Sequence, residues 1–73
     1  MKTHFIDSQC FRYDFEFDDN DVVVTCHNLT MAMPIEQVVN NSGPWQFAKN
    51  DYLKMAPDAI VFIEKFCKNK AFW

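Results

Sequence analysis

Glycine occurs once in this 73-residue chain, at Gly43, and histidine twice, at His4 and His27. A phosphate-cradling loop needs several glycines ahead of a helix, so nucleotide binding by such a loop is excluded. Nucleophilic catalysis needs a Cys or Ser beside a His that a third group orients. Cys26 and His27 are adjacent, but neighbours on a strand point to opposite faces and cannot act together. The chain is therefore read as a non-enzyme. Cysteine is limited to Cys10, Cys26 and Cys67, an odd number. No Cys-x-x-Cys or His-x-x-x-His spacing preorganises metal ligands, so buried structural cysteines are expected, with no metal or other cofactor. The opening Met1-Lys2-Thr3-His4-Phe5-Ile6-Asp7 meets an acid before any apolar signal-peptide stretch, which points to a reducing cytosol. The longest apolar run, Ala59 to Ile63, is far short of the roughly 20 residues that span a membrane. A soluble protein is expected.

What the chain has in quantity is aromatic surface: eight Phe, two Trp and two Tyr. A single domain of this size buries only about 60% of the surface its unfolded chain exposes, so one domain over residues 1–73 is the limit. The aromatics supply the dense core such a chain needs. Charge is uneven. Residues 1–28 hold six acids against two bases, and residues 29–73 hold four against five. An acidic end repels phosphate, which argues against direct contact with DNA or RNA.

The acids concentrate in a predicted hairpin over residues 10–28. Aromatic and charged residues alternate strictly from Phe11 to Asp18, the period of a strand with one buried and one wet face. Asp18-Asp19-Asn20-Asp21 is a cluster of turn formers, and Val22-Val23-Val24-Thr25-Cys26 a β-branched return strand. With Asp19 and Asn20 as a two-residue loop, Phe17 pairs with Val22, Phe15 with Val24 and Tyr13 with Cys26. Arg12, Asp14, Glu16, Val23, Thr25 and His27 then share the wet face.

A lone hairpin is marginal in water, so the remaining chain must cover its aromatic side. Pro34 is placed to begin a short helix whose apolar side is Ile35, Val38 and Val39, and which stops at Asn40-Asn41-Ser42-Gly43. Pro44 opens a second, with Trp45, Ala48, Tyr52 and Met55 at helical spacing. Pro57 and Asp58 open a third, with a stripe of Ala59, Ile60, Ile63, Phe66 and Cys67 and with Lys65, Lys68 and Lys70 near its negative end. Residues 1–9 read either as a further strand or as a flexible tail. The expected fold is α+β, an antiparallel hairpin or small sheet packed against two or three short helices.

The candidate partner-binding residues are Asp14, Glu16, Asp18, Asp19, Asp21, Val23 and Thr25. Five carboxylates on or near one surface repel one another. They serve either to keep a small aromatic protein soluble and blunt its strand edges, or to attract a basic partner segment. An open edge of either hairpin strand also suits strand addition.

Over its whole length, from Met1-Lys2-Thr3-His4-Phe5 through Phe11-Arg12-Tyr13-Asp14-Phe15-Glu16-Phe17 to Ala71-Phe72-Trp73, the chain resembles the small phage-encoded transcription regulators that bind and inhibit host bacterial RNA polymerase. The resemblance rests on overall sequence and size, with no short motif that assigns contact residues. It implies a monomer in the host bacterial cytoplasm that docks near the start of the polymerase β′ subunit and the flap of the β subunit. There it would displace σ factor, block initiation, and allow antitermination, with no cofactor. The other reading is an acidic phage protein that inhibits a different host machine, such as a nuclease-based defence system. Ten acids offset by seven bases make a poor phosphate mimic, which ranks that reading second.

Overall fold

The aromatic–charged alternation forms the strand it predicts. The computed structural model describes residues 1–70, with the side chain of Lys70 and residues 71–73 outside the described part. Strand β2 (Arg12–Phe17) buries Tyr13, Phe15 and Phe17 and exposes Arg12, Asp14 and Glu16. It pairs antiparallel with β3 (Asp21–Cys26), Phe17 opposite Val22 and Phe15 opposite Val24. Asp18 closes the turn: its Oδ1 accepts the N–H of Asn20 at 2.9 Å and of Asp21 at 2.7 Å. A short acceptor side chain here stands in for a backbone turn bond. Phe11, at the head of the alternation, falls outside the strand and is exposed.

Both outer edges of this hairpin are covered. Strand β1 (Lys2–Ile6) pairs with β2, and β4 (Leu29–Pro34) with β3, giving a four-stranded antiparallel sheet in the order β1-β2-β3-β4. Strand addition at β2 or β3, expected from the isolated hairpin, is therefore closed by the chain's own neighbours. In β1, Thr3 and Phe5 turn toward the core while Lys2, His4 and Ile6 face water. Strand β4 has no sequence signature. Its Leu-Thr-Met-Ala-Met-Pro carries no charge and one β-branched residue, so pairing with β3 decides its conformation rather than propensity. Pro34 ends this strand instead of opening the helix; its ψ of 132° is extended, and α1 (Ile35–Asn40) starts one residue later.

Helix α1 ends where Asn41 adopts a left-handed φ of 53°. Helix α2 (Gly43–Phe47) runs into a π-helical turn (Ala48–Tyr52), in which the Leu53 N–H donates to the Ala48 carbonyl at 2.8 Å. The wider turn rotates the chain away from the 3.6-residue spacing. Leu53 is thereby fully buried, and Tyr52, expected in the apolar stripe, is 40% exposed.

Helix α3 (Pro57–Lys70) buries Ala59, Ile63 and Cys67, with Ile60 and Phe66 half-buried; Lys65 and Lys68 are exposed. Phe62 was not in the predicted stripe, yet its ring stacks on Phe5 at 4.8 Å, while Phe66 stacks on Phe17 at 5.1 Å. The helices cover one face of the sheet, and the core lies between the two layers around Tyr13, Phe15, Val24, Trp45, Leu53 and Ile63. A polar tie crosses the helical layer. Lys49 Nζ donates to Asn41 Oδ1 at 2.7 Å and to Glu64 Oε2 at 2.9 Å, and Trp45 Nε1 donates to that same Glu64 oxygen at 2.9 Å. Lys49 is buried despite its charge, and the bonds to Asn41 and Glu64 compensate its lost hydration.

Candidate partner-binding face

Among the described residues no layer lies over the second face of the sheet. Alternation sets which side chains it presents: Lys2, His4 and Ile6 from β1; Arg12, Asp14 and Glu16 from β2; Asp21, Val23 and Thr25 from β3; Thr30, Ala32 and Pro34 from β4. Its centre holds a shallow dish of about 210 Å³, lined by Lys2, Asp14, Glu16, Val23 and Thr25 among others. Four of the seven candidate residues, Asp14, Glu16, Val23 and Thr25, thus meet in one depression. In register, Asp14 stands opposite Thr25 and Glu16 opposite Val23. Asp18, Asp19 and Asp21 lie apart at the β2–β3 tip, where Asp18 is occupied in holding the turn.

The face is less acidic than its sequence suggests. Arg12 Nε donates to both oxygens of Asp14, at 3.0 and 3.2 Å, with each side chain about half exposed. Lys2 stands opposite Glu16 in the β1–β2 register, but among the described residues Glu16 makes no ion pair within 4 Å. Arg12 therefore compensates Asp14, while Glu16, with Lys2 opposite it in register, and the tip residues Asp19 and Asp21 make no ion pair among the described residues. Contact between Lys2 and this face follows from β1 pairing, which the sequence left open. Thr25 and Thr30 hydroxyls lie 3.2 Å apart across β3 and β4.

His27 is not on this face. It and Asn28 form the β3–β4 turn with φ of 51° and 63°, both left-handed, which takes His27 out of the strand's alternation. Its ring instead meets Phe11 edge-on at 5.0 Å and Tyr13 at 5.7 Å.

These rings border a second depression at the opposite end of the sheet, an open cleft of about 600 Å³ lined by Asp7, Phe11, Tyr13, His27, Lys54 and Asp58 among others. Sequence reasoning missed its organising residue, Asp7. The carboxylate is buried and fully engaged: Oδ1 accepts the N–H of Gln9 at 2.8 Å and of Phe11 at 3.0 Å, and Oδ2 accepts the Tyr13 hydroxyl at 2.8 Å. The Tyr13 oxygen in turn accepts the Ala56 N–H at 3.1 Å. Burial raises the Asp7 pKa, but the three donors, with a smaller contribution from the His27 charge, outweigh it and hold the carboxyl below its ordinary value. Burial pushes the Tyr13 phenol up to about 12; the Ala56 N–H opposes this and Asp7 adds to it. The network joins the β1–β2 loop to the approach to α3, a structural task. The one signal in the sequence is Asp7 at the head of a polar Asp-Ser-Gln stretch.

Burial raises the Cys26 thiol pKa, which makes it a poor nucleophile. Among the described residues no three His, Cys, Asp or Glu side chains are grouped to hold a metal, and no helix is long and apolar enough to cross a membrane. No protein-family model matches the chain, and neither a curated protein nor a solved structure matches it.

Proposed function

We propose that this protein is a phage-encoded inhibitor of host bacterial RNA polymerase. It acts by direct protein binding near the β′ N-terminus and the β flap, displaces σ factor and so blocks initiation, with antitermination as a further effect. The reading draws both its partner and its mode of action from the full-length sequence resemblance; the molecule's surface supports a binding role. One observation supports a binding role above the others: among the described residues nothing covers one face of the sheet, and at its centre Asp14 and Glu16 stand beside Val23 and Thr25 in a shallow dish. Small apolar and hydroxyl side chains next to carboxylates suit a protein segment that carries Lys or Arg. The buried carboxylate, Asp7, is by contrast fully occupied within the fold.

Affinity capture from a bacterial lysate, followed by in vitro transcription, tests the proposal. Recovery of polymerase subunits with loss of σ-dependent initiation is the expected result. Recovery of a nuclease complex without polymerase would replace this reading with inhibition of a nuclease-based defence.

A further inference from the structure

The two edges of the sheet differ in how they are protected. Strand β1 carries Lys2 and His4 along its outer edge, and a lysine there discourages another strand from pairing. Strand β4 runs six residues without a charge, and Pro34 at its end is its one protective residue.

The hydrogen-bond alternation decides which backbone groups of β4 point outward. The Ile35 N–H donates to the Asn20 carbonyl at 2.8 Å, so position 35 faces β3. In an antiparallel ladder every second residue does the same, which places Met33, Met31 and Leu29 toward β3. The N–H and C=O groups of Thr30 and Ala32, and the carbonyl of Pro34, are then directed away from the sheet. No turn, loop or helix among the described residues hydrogen-bonds the backbone of Thr30 or Ala32.

Charge at the Pro34 end selects what adds there. Asp21 is Pro34's direct partner across β3, Asp19 lies in the adjoining turn beside the Asn20–Ile35 bond, and exposed Glu36 follows two residues on. The Thr30 end leads into Asn28 and carries no acid.

We propose that β4 is a strand-addition site for an extended protein segment that bears Lys or Arg at the end lying beside Pro34. The segment would receive and donate main-chain hydrogen bonds at Thr30 and Ala32 and extend the sheet to a fifth strand. Its basic side chain would meet Asp21, Asp19 and Glu36. The surface stands independently of the proposed function; only the identity of the segment, a stretch of polymerase, rests on that reading.

Ala32→Pro is the discriminating variant, because it deletes an outward N–H and leaves the β3 ladder intact. His4→Pro makes the equivalent change at the β1 edge, and circular dichroism checks that both variants fold. Ten-residue Thr/Val peptides with Lys-Arg or Glu-Glu at both ends, so that the charge lies beside Pro34 whether the added strand runs parallel or antiparallel to β4, are titrated into the full chain, with amide hydrogen exchange followed residue by residue. The Lys-Arg peptide is expected to protect the Thr30 and Ala32 amides and to bind at least about tenfold more tightly than the Glu-Glu peptide, on the scale of one to two charge contacts. Ala32→Pro should abolish this and His4→Pro leave it unchanged. Protection at His4 instead, equal binding of both peptides, or no protection at any edge overturns the proposal. So does concentration-dependent protection without peptide, which would assign the edge to a second copy of the chain. Polymerase capture is run in parallel: failure of the parent chain to capture polymerase removes the proposed function and leaves the edge to be judged by the peptides.

Discussion

Arg12 and Asp14, two residues apart on β2, point to the same side of the sheet, and the single Arg12 Nε–H is shared between both Asp14 oxygens at 3.0 and 3.2 Å. Glu16, the next residue on that face, makes no ion pair among the described residues. The two central carboxylates are therefore unequal, and a basic partner would have to compete with Arg12 at one of them and not at the other.

Glu16→Gln should consequently weaken polymerase binding more than Asp14→Asn, by about threefold to tenfold, the range of a half-exposed charge pair. The combined Asp14→Asn, Glu16→Gln and Asp21→Asn variant should also flatten the dependence of binding on salt. Titration by interferometry at several ionic strengths measures both. Equal effects of the two single changes would show that Arg12 does not shield Asp14 in solution.

Asp18 has a conformational role that its acidic neighbours lack. Asp18→Ala removes the acceptor for the Asn20 and Asp21 N–H groups and should cost about 1 kcal/mol in urea unfolding, the usual worth of such a bond. Asp18→Asn keeps an acceptor oxygen and should remain close to the parent.

Tyr13→Phe leaves the buried Asp7 Oδ2 and the Ala56 N–H without their shared partner. The expected loss is about 1 to 3 kcal/mol, the desolvation cost of an unpaired buried polar group. Near-parental stability would mean that the β1–β2 loop relaxes to recruit water.

The same pair contributes at both pH limits. Asp7 has a folded pKa below its ordinary value, so its contribution is complete above about pH 4, the unfolded value, and is lost as pH falls through the folded value. Tyr13 titrates at about 12 when folded. Below about pH 10 both states keep the phenolic proton. From there up to 12 the unfolded chain loses it while the folded chain retains it, so stability declines across that window. Tyr13→Phe should remove the part of the alkaline decline that falls between about pH 10 and 12 and leave the part that comes from the buried Cys26 thiol, whose pKa is also raised, as read from thermal melts against pH.

Glu64→Ala takes the counter-charge from the buried Lys49 ammonium, leaving it the Asn41 oxygen, and removes the acceptor of Trp45. A loss of about 3 kcal/mol is expected, at the lower end for a broken buried pair because Glu64 is partly exposed. Lys49→Met with Glu64→Gln should recover much of it.

The hairpin was legible because its information is local: alternation chose the buried face, and the turn formers at Asp18–Asp21 chose the register. The starts of the second and third helices were legible from Pro44 and Pro57 for the same reason. Strand β4 was not, since an uncharged Leu-Thr-Met-Ala-Met-Pro run acquires its conformation from pairing with β3. Tyr52 was misplaced because spacing rules assume 3.6 residues per turn and the chain takes a π turn at Ala48–Tyr52. Four members of the candidate site could be read from β2 and β3. The charge balance could not, because Lys2 joins that face only once β1 has paired. Asp7 stayed hidden because its partners Gln9, Phe11 and Tyr13 come together through loop geometry that no periodicity encodes.

The claim at the centre of this account is that the uncovered sheet face meets polymerase. Its most direct test is amide mapping of the isotope-labelled chain with bacterial core RNA polymerase added. Signals of Asp14, Glu16, Val23 and Thr25 should shift or broaden first, and those of the exposed side of α3, Val61, Lys65 and Lys68, should follow only through overall tumbling. Selective perturbation of α3 with the sheet face unchanged, or no perturbation at all, would contradict it.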